Sequence, residues 1–373
     1  MNIIICYTKI TPRHIGRIKY LSNYFDNVFV LELDHKSDSY PWWNKEFKSD
    51  QQNVIFQKVA FNAGGISEGS KCDLIKLVSD HTIALALLSS YSDKRLLKLN
   101  RFFANRHIKT ALMMISTRAD HKRFFLKESY KRYLLRKFAL YFAAGAASKN
   151  YLLKLGVPDE NIFLQYNSID NDFFMSESEL TDTLTCLKNK SYFLYVGALR
   201  SHKNVLGLIK AHLNYSREGG KWDLVIVGCG EEEDSLKEEA LKNRINNVYF
   251  TGALQQEVLR SLYHQAACLV LPSFSEPWGL VVNEAMCAGL PILASNRCGC
   301  VPELVHPGLN GYIFDPEAMQ ELSMLLHKIE NHPQLDILKQ NSKLFIEPFN
   351  NQNWALSVYD FLNSISSNRP GPE

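Results

Sequence analysis

The chain has 373 residues, enough for two domains of ordinary size. Hydrophobic residues make up 46% and charged residues 22%, the mix of a soluble globular protein, and no apolar run approaches the roughly 20 residues of a membrane-spanning helix. The net charge of +3 is unevenly divided: residues 1–170 hold 26 Lys and Arg against 15 Asp and Glu, a balance of +11, and the remainder balances at −8. The two halves are therefore expected to meet different partners.

In chain order, the N-terminus, Met1-Asn2-Ile3-Ile4-Ile5-Cys6-Tyr7, has no basic start and no small-residue cleavage site, so it reads as a first strand rather than a signal peptide. Further strands are expected near 27–33, 53–57, 82–88, 109–115 and 140–146. Helices fall between them near 14–25, 69–79, 90–105, 122–138 and 148–155. The polar stretch 171–190 has no strong period and reads as a linker. The alternation then restarts, with strands near 191–197, 223–228, 247–251, 267–271, 290–294 and 311–314. Its helices are expected near 203–217, 231–243, 255–265, 279–288 and 316–330. A last amphipathic segment, 353–365, follows the breaker Pro348-Phe349-Asn350, and the polar tail 366–373 is expected to be disordered. Strands alternating with helices in this way predict two doubly wound α/β units, with ligands at the carboxyl ends of the strands.

Eight cysteines, at 6, 72, 186, 229, 268, 287, 298 and 300, are scattered mostly through apolar segments, as reduced, packed thiols would be. Cys298-Gly299-Cys300 is the one close pair, and without a second pair or a histidine cluster it does not read as a metal site.

The most informative string is Ser273-Phe274-Ser275-Glu276-Pro277-Trp278-Gly279-Leu280-Val281-Val282-Asn283-Glu284-Ala285-Met286. It follows an apolar strand and opens a helix. Glu276 sits in the loop before that helix, and Gly279 lets backbone approach a ligand. The first-turn amides are unpaired and suit phosphate, while Glu284 is placed to accept hydrogen bonds from hydroxyls. For a lone glutamate, a cap at 276 and a solvated carboxylate at 284 would be the plainer reading.

The whole string resembles the E-x7-E segment of retaining GT-B glycosyltransferases, the family of glycogen synthases and of bacterial envelope mannosyl- and glucosyltransferases. The resemblance implies two Rossmann-like domains facing each other across a cleft: 1–170 for the acceptor and 171–348 for the nucleotide-sugar. Residues 349–373 would form a C-terminal helix returning to the first domain, then the tail. It also implies donor-sugar contacts at Glu276, backbone contacts to sugar and pyrophosphate at Gly279, Leu280 and Val281, and ribose contacts at Glu284. Tyr195-Val196-Gly197-Ala198-Leu199-Arg200-Ser201-His202-Lys203-Asn204 resembles the family's pyrophosphate-binding loop, with Lys203 as its lysine. The family's arginine is Ala198 here, and Arg200 is the candidate to replace it. Val227-Gly228-Cys229-Gly230-Glu231 resembles the G-x-G turn, and Phe250-Thr251-Gly252-Ala253-Leu254 the segment that cradles the base. The passages 147–158 and 165–170 are similar to the family's lead into the linker, so the recognisable pattern spans roughly residues 145–330.

In the first half the candidates are fewer. Ile115-Ser116-Thr117-Arg118-Ala119-Asp120-His121 stands where the family presents a histidine or acidic loop, which makes Asp120 and His121 catalytic candidates and Arg118 an acceptor candidate. A helix cap is the alternative for the first two. In the loop after the first strand, Gly16 is a donor-phosphate candidate, although the family's double glycine is missing, and His14 an acceptor candidate. The segment 118–137 carries 8 cations against 2 carboxylates with aromatics interleaved. It reads either as a helix for an anionic membrane surface or as a solvated helix with one packed face, and no nucleic-acid motif accompanies it.

The reaction implied is sugar transfer with retention. Lys203, Arg200 and the helix start at 279 would stabilise the leaving diphosphate. The acceptor would be a glycan or lipid-linked chain of envelope polysaccharide or lipopolysaccharide synthesis, and the donor a UDP-sugar in preference to a GDP-sugar. No cofactor and no metal are expected, since no D-x-D pair stands in a suitable loop. The setting expected is cytoplasmic, or peripheral on the inner face of the membrane. A GT-B epimerase or phosphorylase, or a decayed binding protein kept in play by Ala198, are the competing readings.

Overall fold

The computed structural model describes residues 1–33, 51–120, 124–177, 187–243 and 246–367. His121, the middle of the 171–190 stretch and the last six residues of the tail lie outside them. The chain forms two compact units: Met1–Ser116 with Arg123–Ile169 and Asn351–Glu373, and Thr117–Lys122 with Asp170–Asn350. The short segment 117–122, expected with the first half, belongs to the second unit.

The first unit begins with β1 (Asn2–Tyr7), α1 (Pro12–Leu21), β2 (Asn27–Leu33) and β3 (Val54–Val59). A small hairpin, β4 (Phe61–Asn62) and β5 (Gly65–Ile66), precedes α2 (Glu68–Asp80). Then come β6 (Ile83–Leu88), α3 (Lys94–Ala104), β7 (Thr110–Met114), α4 (Phe125–Leu135), β8 (Leu140–Ala143), α5 (Ala146–Lys154) and β9 (Ile162–Leu164). Seven strands form a parallel sheet in the order β3-β2-β1-β6-β7-β8-β9. Ile3, Ile4, Ile5 and Cys6 are all fully buried, as a central parallel strand covered on both faces requires. The strand expected over 140–146 stops at Ala143, because Gly145 turns the chain into α5.

The second unit opens with α6 (Asn171–Met175), a helix inside the stretch read as linker. The Asp170 carboxylate caps it by accepting from the Phe173 amide at 3.2 Å. The unit continues through β10 (Tyr192–Val196), α7 (Val205–Arg217), β11 (Asp223–Val227), α8 (Glu233–Lys242), β12 (Val248–Gly252), α9 (Gln256–Gln265) and β13 (Cys268–Leu271). It ends with α10 (Leu280–Cys287), β14 (Ile292–Ser295), α11 (Val301–Leu304), β15 (Gly311–Phe314), α12 (Met319–Glu330) and α13 (Leu335–Ile346). Its parallel sheet has the order β12-β11-β10-β13-β14-β15. The order reverses between β10 and β13, and the crevice outside the carboxyl ends of those two strands is where such a sheet takes a ligand.

The last helix, α14 (Asn351–Ser367), returns to the first unit and packs on α1. Trp354, Ala355, Val358, Phe361 and Leu362 join the core around β1. Burying each of the larger of these contributes about 1.5–3 kcal/mol. Among the described residues no helix is long and apolar enough to cross a membrane.

Candidate functional site

The switch point of the second unit gathers most of the candidates. From the end of β10 the chain runs through Gly197 and Arg200 into a 3-10 turn, Ser201–Lys203. From the end of β13 it runs through Pro272 and Glu276 to α10. These two loops meet: the Lys203 ammonium pairs with the Glu276 carboxylate, and the two side chains keep only 16% and 15% of their surface exposed. The carbonyl of His202 accepts from the amides of Phe274 at 2.9 Å and Ser275 at 3.3 Å. Asn204 adopts a left-handed conformation (φ 54°) and donates from Nδ2 to the carbonyls of Pro272 (3.2 Å) and Pro316 (2.9 Å). Lys203 is thus fixed from both sides by its own backbone neighbours. Arg200 is exposed beside it, as is Ala198.

Behind Glu276 lies a support that sequence reasoning left unassigned. Cys298-Gly299-Cys300 runs alongside the loop, with the Gly299 amide donating to the Glu276 carbonyl at 2.8 Å and the Cys300 amide to the Trp278 carbonyl at 3.1 Å. A Cβ on Gly299 would stand 1.9 Å from the Pro277 carbonyl oxygen, so only glycine permits this approach. Burial pushes both thiols up, which leaves them inert packing groups. Trp278 is buried and donates from Nε1 to Asn283 Oδ1 at 2.9 Å, pinning the loop to α10.

Gly279 precedes α10 with φ 101°, a left-handed conformation that lets the chain turn straight into the helix. Leu280 and Val281 are half-buried in the first turn, where a helix offers their amides no carbonyl four residues back. Glu284 is fully buried rather than solvated, and Tyr263 Oη donates to its Oε2 at 2.9 Å. The glycines of the G-x-G turn have a packing role. A Cβ on Gly228 would lie 1.8 Å from the Gly197 carbonyl oxygen, and one on Gly230 would lie 2.3 Å from that of Leu199. The amides of Gly197 and Leu199 donate to the carbonyls of Val227 and Cys229, both at 3.0 Å. This turn therefore shapes the loop that carries Lys203. Gly252 ends β12 at φ 72° with open space beyond its missing Cβ, and Leu254 is half-buried next to it.

Asp120 closes its own turn rather than capping α4, whose N-cap is Phe124. Its Oδ2 accepts from the Thr117 amide at 2.7 Å and its Oδ1 from the Thr117 hydroxyl at 2.6 Å, closing the turn Arg118–Asp120. Ser275 donates to the Asp120 carbonyl at 2.7 Å, which ties this turn to the Glu276 loop. Arg118 is exposed on it.

In the first unit, the geometry departs from the expectations for His14 and Gly16. Gly16 lies inside α1, where a Cβ would meet the Asn351 side chain at 2.6 Å, so it serves the packing of α1 on α14 rather than presenting backbone to a phosphate. His14 Nδ1 accepts from the Thr11 amide at 3.1 Å, and its ring stacks on Tyr7 with centroids 4.1 Å apart. Burial, with Arg17 and Arg13 nearby, pushes its pKa down to about 3. Because the unfolded chain binds this proton near 6.5, stability from His14 is fully present above pH 6.5 and is lost as pH falls toward 3. Comparing the protein with His14→Gln at pH 7 and pH 4.5 in urea should show about 2 kcal/mol more acid destabilisation in the parent. Equal losses in both would refute the neutral, packed histidine.

Residues 176–357 match the family model of glycosyl transferases group 1. These residues are similar to group 1 glycosyltransferase domains. An uncharacterized glycosyltransferase of Methanocaldococcus jannaschii is 29% identical over 242 residues, 64% of this chain and 61% of the relative. The O-antigen chain mannosyltransferase RfbU of Salmonella typhimurium is 27% identical over 245 residues, 65% of this chain and 60% of the relative. The chain thus matches about three fifths of the length of each. HepE of Anabaena, solved with UDP and also with UDP-glucose, superimposes with a TM-score of 0.76 at 18% identity, covering 98% of this chain and all of that one. The fold is GT-B, and most of the residues that match the group 1 model lie in the unit with the Lys203–Glu276 pair at its switch point.

Proposed function

We propose that the protein is a retaining, metal-independent hexosyltransferase that moves a sugar from a nucleoside diphosphate sugar to a glycan or lipid-linked acceptor. The observation that carries this reading is the Lys203–Glu276 pair, set at the carboxyl ends of β10 and β13 beside the open amides of α10. Negative charge grows on the leaving diphosphate, and a fixed cation with a helix N-terminus offers stabilisation where that charge develops. Lys203 exchanges Glu276 for the diphosphate when donor binds, which frees Glu276 for the donor sugar's hydroxyls, while Arg200 supplies the second cation missing at Ala198. Gly252 and Leu254 flank the base, and Glu284 takes the ribose. The acceptor hydroxyl attacks on the face the diphosphate leaves, and a diphosphate oxygen takes its proton. UDP-sugars are favoured as donors, in keeping with the UDP and UDP-glucose bound by HepE. Envelope polysaccharide or lipopolysaccharide synthesis at the cytoplasmic side is the setting, in keeping with RfbU.

Thermal unfolding with UDP, GDP, ADP and their sugar conjugates tests the donor site. A nucleotide at a hundredfold excess over its Kd should stabilise the protein by about 2.7 kcal/mol, for UDP and its conjugates above the others. Glu284→Ala should abolish the shift. If that variant unfolds earlier yet keeps the full shift, Glu284 only packs against Tyr263. If no nucleotide gives a shift, a decayed site is the better reading, and the exposed Ala198 is the feature in its favour.

A further inference from the structure

We propose that the exposed face of α4 is a docking surface for an anionic lipid bilayer. One face of α4 packs on α5, where Glu128 and Lys131 both meet Tyr151, and the opposite face is exposed. Leu134 and Leu135 are buried, but Phe125 and Leu126 keep 80% of their surface exposed, Tyr130 60% and Tyr133 59%. The sequence spacing aligns them. Leu126, Tyr130 and Tyr133 recur at i, i+4 and i+7, a single stripe along the helix, and Lys137 follows in the turn after it. Tyr130 and Tyr133 stack with centroids 6.5 Å apart, and the Lys137 ammonium lies over the Tyr133 ring at 4.5 Å. Phe125, Arg132 and Arg136 form a second stripe beside the first by the same spacing.

Four exposed aromatic or aliphatic side chains on three turns of helix are more than a solvated face carries without a reason. The charge on this face selects the occupant. Its exposed ionic groups, Arg132, Arg136 and Lys137, are all cations. The helix's one carboxylate, Glu128, faces the other way: it accepts the Tyr151 hydroxyl at 2.9 Å and pairs with Lys131 at 3.3 Å. Apolar side chains flanked by cations, with no carboxylate on that face of the helix, match the interface of a bilayer with negative headgroups, where rings enter the acyl boundary and cations stay with the phosphates. A cavity of about 200 Å³ beside the end of the helix, lined by Arg132, Arg136, Phe138, Tyr141, Val157 and Asn161, offers a place for a headgroup. The surface rests on the proposed transfer reaction for its purpose, since a lipid-linked acceptor lies in such a bilayer, but its physics is independent of that reaction.

Sedimentation of the full chain with vesicles tests the surface. The parent should bind vesicles of phosphatidylcholine with phosphatidylglycerol far better than phosphatidylcholine alone, and added salt should weaken binding. Arg132→Gln/Arg136→Gln/Lys137→Gln should bind on the order of 100-fold more weakly. Phe125→Ser/Leu126→Ser/Tyr130→Ser should lose at least tenfold. All these positions are exposed, and Arg132 loses only an exposed bond to the Lys154 carbonyl, so both variants should unfold close to the parent's temperature and keep its response to UDP. A missing UDP response in the parent would count against the transferase reading alone. Equal binding to both vesicle types, no binding, or variants that bind like the parent would overturn the surface. Tighter binding to a single-stranded RNA oligomer than to the mixed vesicles would also overturn it.

Discussion

Lys203→Ala should lower turnover of a nucleotide-sugar by on the order of 10²–10³. The cation sits where the 3-10 turn after β10 meets the Glu276 loop, held by the His202 carbonyl on one side and the Asn204 side chain on the other. That rigidity is what an electrostatic role requires, because a preset charge pays no reorganisation as the diphosphate leaves. A packing role predicts something else. Removing Lys203 strands the Glu276 carboxylate, and since both groups retain some exposure the cost is about 1–2 kcal/mol, below that of a fully buried pair. Neutralising the stranded partner in Lys203→Ala/Glu276→Gln should recover that stability and none of the turnover. If turnover returns with stability, or Lys203→Ala loses stability alone, the pair is structural. Steady-state kinetics and urea unfolding on the same three proteins separate these outcomes.

Much of the fold was legible because buried parallel strands read as unbroken apolar runs. Ile3-Ile4-Ile5 and Leu269-Val270-Leu271 need no context to be strands. The elements missed have physical reasons. β9 is three residues long, below any useful period. α13 hides its buried stripe, since Leu338, Ser342 and Ile346 are the inward positions and the middle one is polar. Ser342 tolerates burial by donating to the Leu290 carbonyl at 2.7 Å, a contact that only the folded chain reveals. α6 lies in a polar stretch and is stabilised by its Asp170 cap rather than by amphipathicity.

The candidate site divides the same way. The string from Glu276 to Glu284 and the loop to Lys203 were visible as strings, and the structure brings Lys203 and Glu276 together across 73 residues. Their supports were not visible. Tyr263 beneath Glu284 carries no local signal, and Cys298-Gly299-Cys300 had no role assigned from sequence before its backbone proved to brace the Glu276 loop. In the first half, His14, Gly16 and Asp120 were chosen for residue type and position alone. Type could not show that Thr11 and Tyr7 engage the histidine, that Asn351 faces the glycine or that Thr117 takes both oxygens of the aspartate.

Gly228→Ala should destabilise the protein by about 3 kcal/mol or more, and Gly252→Ala by only about 1–2 kcal/mol. Both glycines have positive φ, 139° and 72°, so both substitutions carry backbone strain of roughly 1–3 kcal/mol. They differ in space. The alanine methyl at 252 meets nothing within 4 Å, whereas the one at 228 would fall 1.8 Å from the Gly197 carbonyl oxygen. That carbonyl cannot swing away cheaply, because the Gly197 amide is bonded to Val227 at 3.0 Å and the Gly228 amide to Gly252 at 2.9 Å. Relief requires parting the two loops, and the loop that moves is the one that ends at Lys203. Gly228→Ala should therefore also weaken UDP binding, through displacement of the cation rather than loss of a contact, while Gly252→Ala tests the space proposed for the base. Urea midpoints at unchanged m-value give the stability difference. Equal costs at the two positions would show that the glycines answer to φ alone, and the close approach of the two loops would then have no part in holding Lys203 in place.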